Sequence, residues 1–404
     1  MNRWIPGIAC FLLVGICACR TKTEPVAEPV ADRSTRAPAI EVLHADSPEE
    51  TRALNEAFKG VSTDGHPETG LYSIRATGVS TSPILQAVTT FLSTLSQQQR
   101  DSCMFPIADK EWRRWTNIDI GEYKRKGIGL HTLSDPQKEM AFDILRSSLS
   151  PQGVQKARDI MKMEGYLARL TGHFDILGPE FYWFTFMGTP SESEPWGWQL
   201  DGHHLVINYF ILGDQIVMTP TFMGSEPNYI PDGENAGTRT FEAEQRLGLA
   251  LYQSLEGSVK AQATLLDRKE YDYNQTEAFH DNAVVPYAGV RVSEFSEEQR
   301  ARLRQLIAEF IGNLREGHAE VKMEEIWDHI ENTYFSWVGD PAGEGPFYYR
   351  IQSPVVIIEF DHHRPVFLEG DLPSKKHVHT VVRTPNGNDY GKDLLRQHLE
   401  AHPH

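Results

Sequence analysis

The chain has 404 residues, a formal net charge of −17 at pH 7, 40% hydrophobic and 24% charged residues. That length and apolar content support a large core, in one big domain or two ordinary ones. The acidic excess and the lack of any dense Lys/Arg run argue against a nucleic-acid binder, because phosphate contacts need clustered basic side chains.

The N-terminus reads as a targeting segment. Arg3 supplies a positive start, and Ile5 to Ile16 form an apolar stretch of signal-peptide length, too short to span a bilayer. Ile16-Cys17-Ala18-Cys19 follows. The aliphatic residue three before Cys19 and the small residue just before it resemble a bacterial lipoprotein cleavage site. Residues 1–18 are thus expected to be removed. Cys19 becomes a lipidated first residue, on an exported protein held to the cell envelope by that anchor alone. Cys17 fits less well because Ile16 would precede it directly, and an ordinary signal peptide with incidental cysteines is the alternative. Cys10 and Cys17 would leave with the signal, so Cys103 has no partner for an internal disulfide other than Cys19. Core packing must then hold the fold. No motif surrounds Cys103, which reads as buried and inert.

Residues 19–48 are rich in Thr, Pro, Ala, Glu and Asp, the composition of a disordered tether. A single large domain is expected over 49–404. Ser47-Pro48-Glu49-Glu50 carries the signals of a helix start, with a helix to about Phe58. Gly60 to Gly78 is polar and glycine-rich, and reads as loop. Ile84, Leu85, Val88, Phe91, Leu92 and Leu95 repeat at helical spacing. Ser134-Asp135-Pro136-Gln137 and Ser150-Pro151-Gln152 begin two further helices. Between them and the first lies a basic, aromatic loop, Glu111 to Asn117 and Lys124 to Leu130, able to attract an anion or simply to pack with solvated arginines.

Near Glu180 the pattern changes. Phe181 to Phe186, Trp196 to Leu200 and His204 to Leu212 read as strands, with a hairpin signal at Gly213-Asp214 and a return from Gln215 to Thr221. Phe241 to Leu266, Ser296 to Leu314, Val321 to Trp337 and Asp393 to Leu399 read as helices, and Phe347 to Arg350 as strand. No internal repeat is visible, and dinucleotide, P-loop, Gly-x-Ser-x-Gly, His-Glu-x-x-His and Cys-x-x-Cys patterns are absent. The expected architecture is α+β, a central antiparallel sheet with flanking helical layers.

The chemistry concentrates between Val355 and Arg383, two apolar runs joined by a loop. Strand side chains alternate faces, so Glu359 and Asp361 share one face of the first run, and His377, His379 and Arg383 one face of the second. Residues two apart on a strand lie ~6–7 Å apart, close enough for two imidazoles to converge on one ion. The first run is apolar on both faces and therefore central, with its carboxylates at the end where sites are commonly built. His362 and His363 are expected in the loop. A second cluster, Asp201-Gly202-His203-His204, sits at a strand mouth. Alternation keeps His203 and His204 on opposite faces unless Gly202 opens a bend.

Trp196-Gly197-Trp198, Gly202-His203-His204-Leu205, Glu359-Phe360-Asp361, His377-Val378-His379-Thr380-Val381-Val382-Arg383 and Asp389-Tyr390-Gly391 together resemble a domain-of-unknown-function family found in bacteria and fungi. The resemblance runs from about Pro83 to about Glu400 and includes Arg114-Trp115, Pro190 and Tyr348-Tyr349-Arg350. It implies that these residues matter together, and brings no established activity. The chain departs from the family pattern at His362 and Lys376, where the family usually has Asn. If those asparagines orient ligands, the surroundings of the site differ here.

The expected function is a metal-dependent enzyme, a hydrolase acting on a small anionic or polar substrate. His377, His379 and His204 would hold a divalent ion such as zinc, with Asp361 as fourth ligand. Glu359 would be the general base and His203 a second acid–base group, while Arg383, Arg114 and Trp198 would contact substrate. The alternatives are a metal-free enzyme using a histidine with the Glu359/Asp361 pair, a non-catalytic surface lipoprotein that binds a ligand or metal, and histidines that merely satisfy buried polar groups. Imidazoles of the two clusters within about 5 Å of one another would favour a shared ion.

Overall fold

The structure is a computed structural model that describes residues 48–402. The signal segment, nearly all of the tether and Cys19 lie outside them. Among the described residues no helix is long and apolar enough to cross a membrane.

Helix α1 (Pro48–Asn55) precedes two successions of elements. The first comprises α2 (Ser82–Ser93), α3 (Gln97–Cys103), β1 (Met104–Phe105), β2 (Ile128–Gly129), α4 (Asp135–Ser148), α5 (Pro151–Thr171), β3 (Tyr182–Met187), β4 (Trp196–Gly202), β5 (Leu205–Leu212), β6 (Gln215–Val217) and β7 (Thr221–Ser225). The second comprises α6 (Glu242–Gln253), α7 (Gly257–Ala263), β8 (Thr264–Leu266), β9 (Val290–Arg291), α8 (Glu297–Ile311), α9 (His318–Asp328), β10 (Tyr334–Gly339), β11 (Phe347–Gln352), β12 (Ile357–His362) and β13 (Val378–Arg383). Helix α10 (Lys392–Ala401) follows. Ser96, Ser134 and Ser296 each form a capping box with Gln99, Gln137 and Gln299, which satisfies the first free N–H groups of α3, α4 and α8. The fold is α+β, as the residue pattern implies. The expected helix from Val321 to Trp337 stops at Asp328, because Tyr334 to Gly339 is an aromatic strand paired along its whole length with β11.

One thirteen-stranded sheet runs in the order β1-β3-β4-β5-β7-β13-β12-β11-β10-β8, with β6, β2 and β9 on β5, β3 and β10. Two meanders, β3-β4-β5-β7 and β10-β11-β12-β13, thus join edge to edge through their last strands, which are antiparallel. The two successions repeat one order of elements, and Phe184, Gly188 and Pro190 of the first recur as Phe335, Gly339 and Pro341 in the second. β1 runs parallel to β3, and β8 parallel to β10. Trp198 stacks on Tyr209 at 5.1 Å in the first, and Tyr349 on Phe360 at 5.0 Å at the corresponding place in the second. The α4–α5 and α8–α9 connections meet each other in an antiparallel bridge between Leu149 and Leu314. The absence of a repeat expected from the sequence is therefore corrected: what recurs is hydrophobic pattern and capping.

The two faces of the sheet differ. On one, Phe184, Phe186, Trp337 and Tyr349 pack against Phe91 of α2, Tyr252 of α6 and Phe310 of α8. Cys103 is buried in this core, and burial pushes its thiol up to about 12. On the other face, buried polar side chains hold irregular chain. Gln199 donates to the carbonyl of Trp112, Arg350 to that of Pro286, and Gln352 to that of Val285. Backbone laid over a sheet needs partners for its own polar groups, and this face supplies them.

Candidate metal centre

The polar face carries the histidines. In β12 and β13, Asp361 pairs with His379, so these side chains project from one face, along with Glu359, His377 and Arg383. Gly224 of β7 faces His379. Gly202 pairs with Leu205, which leaves His203-His204 as a two-residue hairpin turn. Such turns demand a positive φ, and His204 adopts φ 60°. Alternation no longer applies inside the turn. The His203 and His204 rings stack at 3.8 Å and both reach the same carboxylate, Glu164 of α5.

Three imidazoles converge. The Nε2 atoms of His204 and His377 are 3.3 Å apart, and those of His377 and His379 are 3.0 Å apart. The other nitrogen of each ring faces a group that only accepts. His204 Nδ1 lies 2.6 Å from Glu164 Oε1, His377 Nδ1 2.6 Å from the Arg364 carbonyl oxygen, and His379 Nδ1 3.0 Å from Glu277 Oε1. Each Nδ1 therefore carries the proton, and in the neutral rings the three Nε2 atoms face one another with no donor among them. They cannot all hydrogen-bond among themselves. Asn117 Nδ2 donates to His379 Nε2 at 3.2 Å, and its carbonyl accepts from the His204 backbone N–H. A cation resolves the remaining repulsion. With metal–nitrogen bonds of about 2.0–2.1 Å in a tetrahedral arrangement, ligand nitrogens lie about 3.3 Å apart, close to the 3.3 and 3.0 Å that separate His377 Nε2 from those of His204 and His379.

The electrostatics agree. Burial, reinforced by His203, pulls His204 down to about 4, and burial with the neighbouring histidines holds His377 and His379 well below the ordinary imidazole range. All three are thus neutral imidazoles, the form in which histidine can hold a metal ion. Burial opposes ionisation of Glu164, but His203 and His204 beside it hold it down to about 2, a full negative charge one ring from the centre. Carboxylates and carbonyls that fix ligand imidazoles in this way set tautomer and orientation. Gly224 closes the floor, where a Cβ would stand 3.0 Å from His204 Cδ2 and 3.1 Å from His379 Cδ2.

The other expected site residues have different positions. Asp361 does not join the three histidines: it is turned to Lys269 at 2.7 Å, His363 at 3.0 Å and the Tyr273 N–H. Glu359 is fully buried and accepts from the N–H groups of Gln275 and Thr276 and the hydroxyls of Thr276 and Tyr348, so no lone pair remains for a base. Arg383 is buried against Asp281 and Asp389 and donates to the carbonyls of Thr276 and Glu277. These three residues clamp the irregular segment 267–286, which carries Glu277 to the centre. Arg114 pairs with Glu50 at 3.2 Å and Glu111 at 3.6 Å, away from the histidines. Trp198 is buried on the aromatic face of β4, the opposite side of the sheet from Gln199 and Asp201. His203 stays beside Glu164, outside the converging trio. His362 is the last residue of β12 and faces Phe347 N–H and Gln245 rather than the site, and Lys376 is exposed, so neither departure from the family pattern touches a ligand. The arginines of the basic loop are not solvated: Arg113 is buried on Asp281 and Arg125 on Asp201, while Lys124 and Lys126 are exposed.

Glu164, Glu277 and Gly224 carry no expectation from the sequence, and Asn117 and His363 only that of lying in loops. Only Glu164 leaves a signal there, a carboxylate inside the apolar stripe of α5 beside Ile160, Leu167 and Ala168. His363 stacks at 3.8 Å on His379 and joins it and Glu277 in a second group of ligand-type atoms. A family model described as a protein of unknown function (DUF3500) matches residues 77–392. Neither a curated protein nor a solved structure gives a match.

Proposed function

The chain belongs to the DUF3500 family, which has no established activity, and from its residues we propose a metal-dependent hydrolase acting on a small polar or anionic substrate, built on His204, His377 and His379. The observation that carries this reading is the His377 Nε2 atom standing 3.3 Å from that of His204 and 3.0 Å from that of His379, each on a ring whose Nδ1 is already committed to an acceptor. Three neutral imidazoles with no thiolate suit zinc or a similar borderline ion. Such an ion, when bound, lowers the pKa of water towards about 7 and polarises an acyl or phosphoryl oxygen.

The chain's own groups divide the remaining work. Glu164, Glu277 and the Arg364 carbonyl hold the rings. Asn117 presents an amide N–H beside His379 and orients an oxygen of the substrate. Glu277 and His363, whose side chains are 28% and 12% exposed, replace Glu359 as the acid–base pair. A second reading, a metal held without turnover, draws on the burial of the trio, of which only 1–5% is exposed.

Metal content of the purified full chain tests both. One equivalent of divalent metal, lost in the His377→Ala/His379→Ala variant, is expected. Metal-dependent cleavage of p-nitrophenyl acetate or p-nitrophenyl phosphate supports the hydrolase, and stoichiometric metal without cleavage of either favours the second reading. Folded, metal-free protein that ignores added zinc and copper overturns both.

A further inference from the structure

On the reverse side of the strands that carry the histidines lies a cavity of about 190 Å³, walled by β7, β13, the end of α8 and α9. Met223 and Thr380 line it, next in sequence to Gly224 and His379 on the opposite face. Its lysines are already paired, and its other charged residues Arg75 and Asp328 are exposed. Lys156 is held by Glu244 and Glu309, and Lys322 by Glu325 and the Val355 carbonyl. The hydroxyls of Thr221 and Thr380 are spent on the carbonyls of Met218 and Met223.

Two polar atoms of the lining have no partner among the described residues, Oδ1 of Asn313 and Nε2 of His318. Asn313 is 5% exposed and His318 2%. A buried, unpaired polar atom is costly, and natural structures rarely keep one without a ligand or water for it. Asn313 belongs to the α8–α9 connection, which meets its repeat-mate at Leu149–Leu314, and His318 opens α9. Phe310, Leu314, Val321 and Val382 supply the apolar remainder.

We infer that this cavity binds a small uncharged molecule with an apolar body and one hydroxyl, which donates to Asn313 and engages His318. The size follows from volume: an apolar cavity of about 150 Å³ holds a benzene ring, so this one holds a single ring with a substituent. Neutrality follows from the pairing of Lys156 and Lys322 with Glu244 and Glu325, and from burial, with Arg315 nearby, which pulls His318 down to about 4. The hydroxyl follows from the unpaired acceptor of Asn313, which no hydrocarbon serves. The site is separate from the histidine centre and does not depend on its metal.

The test is fluorine NMR of 4-fluorophenol, fluorobenzene and 4-fluorobenzoate with the full chain, repeated on the His377→Ala/His379→Ala variant to exclude phenolate bound at a metal. Saturable binding of 4-fluorophenol, at least tenfold tighter than of the other two and unchanged in the double variant, is expected. Val321→Trp should abolish it by filling the cavity. Asn313→Leu, which removes the unpaired acceptor, should erase the preference for the phenol while leaving metal uptake intact, a control for folding. Failure of 4-fluorophenol to bind the full chain, or binding indifferent to both Val321→Trp and Asn313→Leu, overturns the inference.

Discussion

Glu359 and Glu164 are both buried carboxylates on strongly hydrogen-bonded sites, and they differ in whom they serve. Glu359 accepts from two backbone N–H groups and two hydroxyls of the chain. Charge-assisted bonds of that kind contribute about 1.5–3 kcal/mol each. Glu359→Gln turns an amide N–H towards donors, and is expected to lower unfolding stability by at least about 1.5–3 kcal/mol in a urea titration of metal-free protein. Glu164 and Glu277 serve the imidazoles. Loss of such an outer partner typically reduces metal affinity 10–100-fold, so Glu164→Gln and Glu277→Gln should each weaken zinc binding by about that factor in a competition titration with a chelator. A catalytic Glu359 would predict the reverse pattern, with lost turnover and unchanged stability.

At the scale of elements, the centre depends on three segments meeting at one strand junction. The His203-His204 turn comes from the first meander, and His377 and His379 from the second, while the irregular segment 267–286 lies across them. The close approach of β7 to β13 at Gly224 is what lets His204 reach its partners. A Cβ there would stand 2.7 Å from the Val378 carbonyl oxygen as well as against both rings. Real Cβ atoms do not tolerate such a contact with backbone, so strands or rings must shift. Gly224→Ala is expected to cut zinc affinity more than tenfold while the fold, read by circular dichroism, persists. Unchanged affinity would mean that His204 is not part of the centre.

For the whole molecule, the burial of neutral histidines ties stability to pH. His204 and His318 are both drawn down to about 4 in the folded protein, against about 6.5 unfolded. Below about 6.5 the unfolded chain takes up protons that the folded chain refuses, so stability falls as pH drops from about 6.5 to about 4. In mid-window each group contributes a slope of about 1.4 kcal/mol per pH unit. Urea midpoints of metal-free protein across pH 4–7 check this, and His318→Gln should remove part of the slope without touching the centre. Metal that binds only the folded form adds about 2.7 kcal/mol at a free concentration of 100 Kd, so zinc should raise the midpoint of the wild type and not that of His377→Ala/His379→Ala.

Much of the site was written in local pattern. A period of two placed His377 and His379 on one face, Gly202 marked the turn that brings His204 in, and Ser-x-x-Gln marked helix starts. These features are legible because they depend on neighbours a few residues apart. The roles of Glu359 and Arg383 were not, since their partners Gln275 and Asp281 lie 84 and 102 residues away. A charged residue at a strand end looks the same in sequence whether it awaits substrate or holds a loop. The repeat escaped for a related reason: the two halves preserve where apolar groups and caps fall, with only sparse identities such as Phe184, Gly188 and Pro190 against Phe335, Gly339 and Pro341. By itself the sequence determined most of the long helices and strands, though not β10, together with the polar face of β12 and β13 and the histidines that stand on it. Only the tertiary structure decided which of those charges are spent on backbone and which imidazoles are left with bare nitrogens turned towards one another. That outcome depends on where the loops and α5 come to rest.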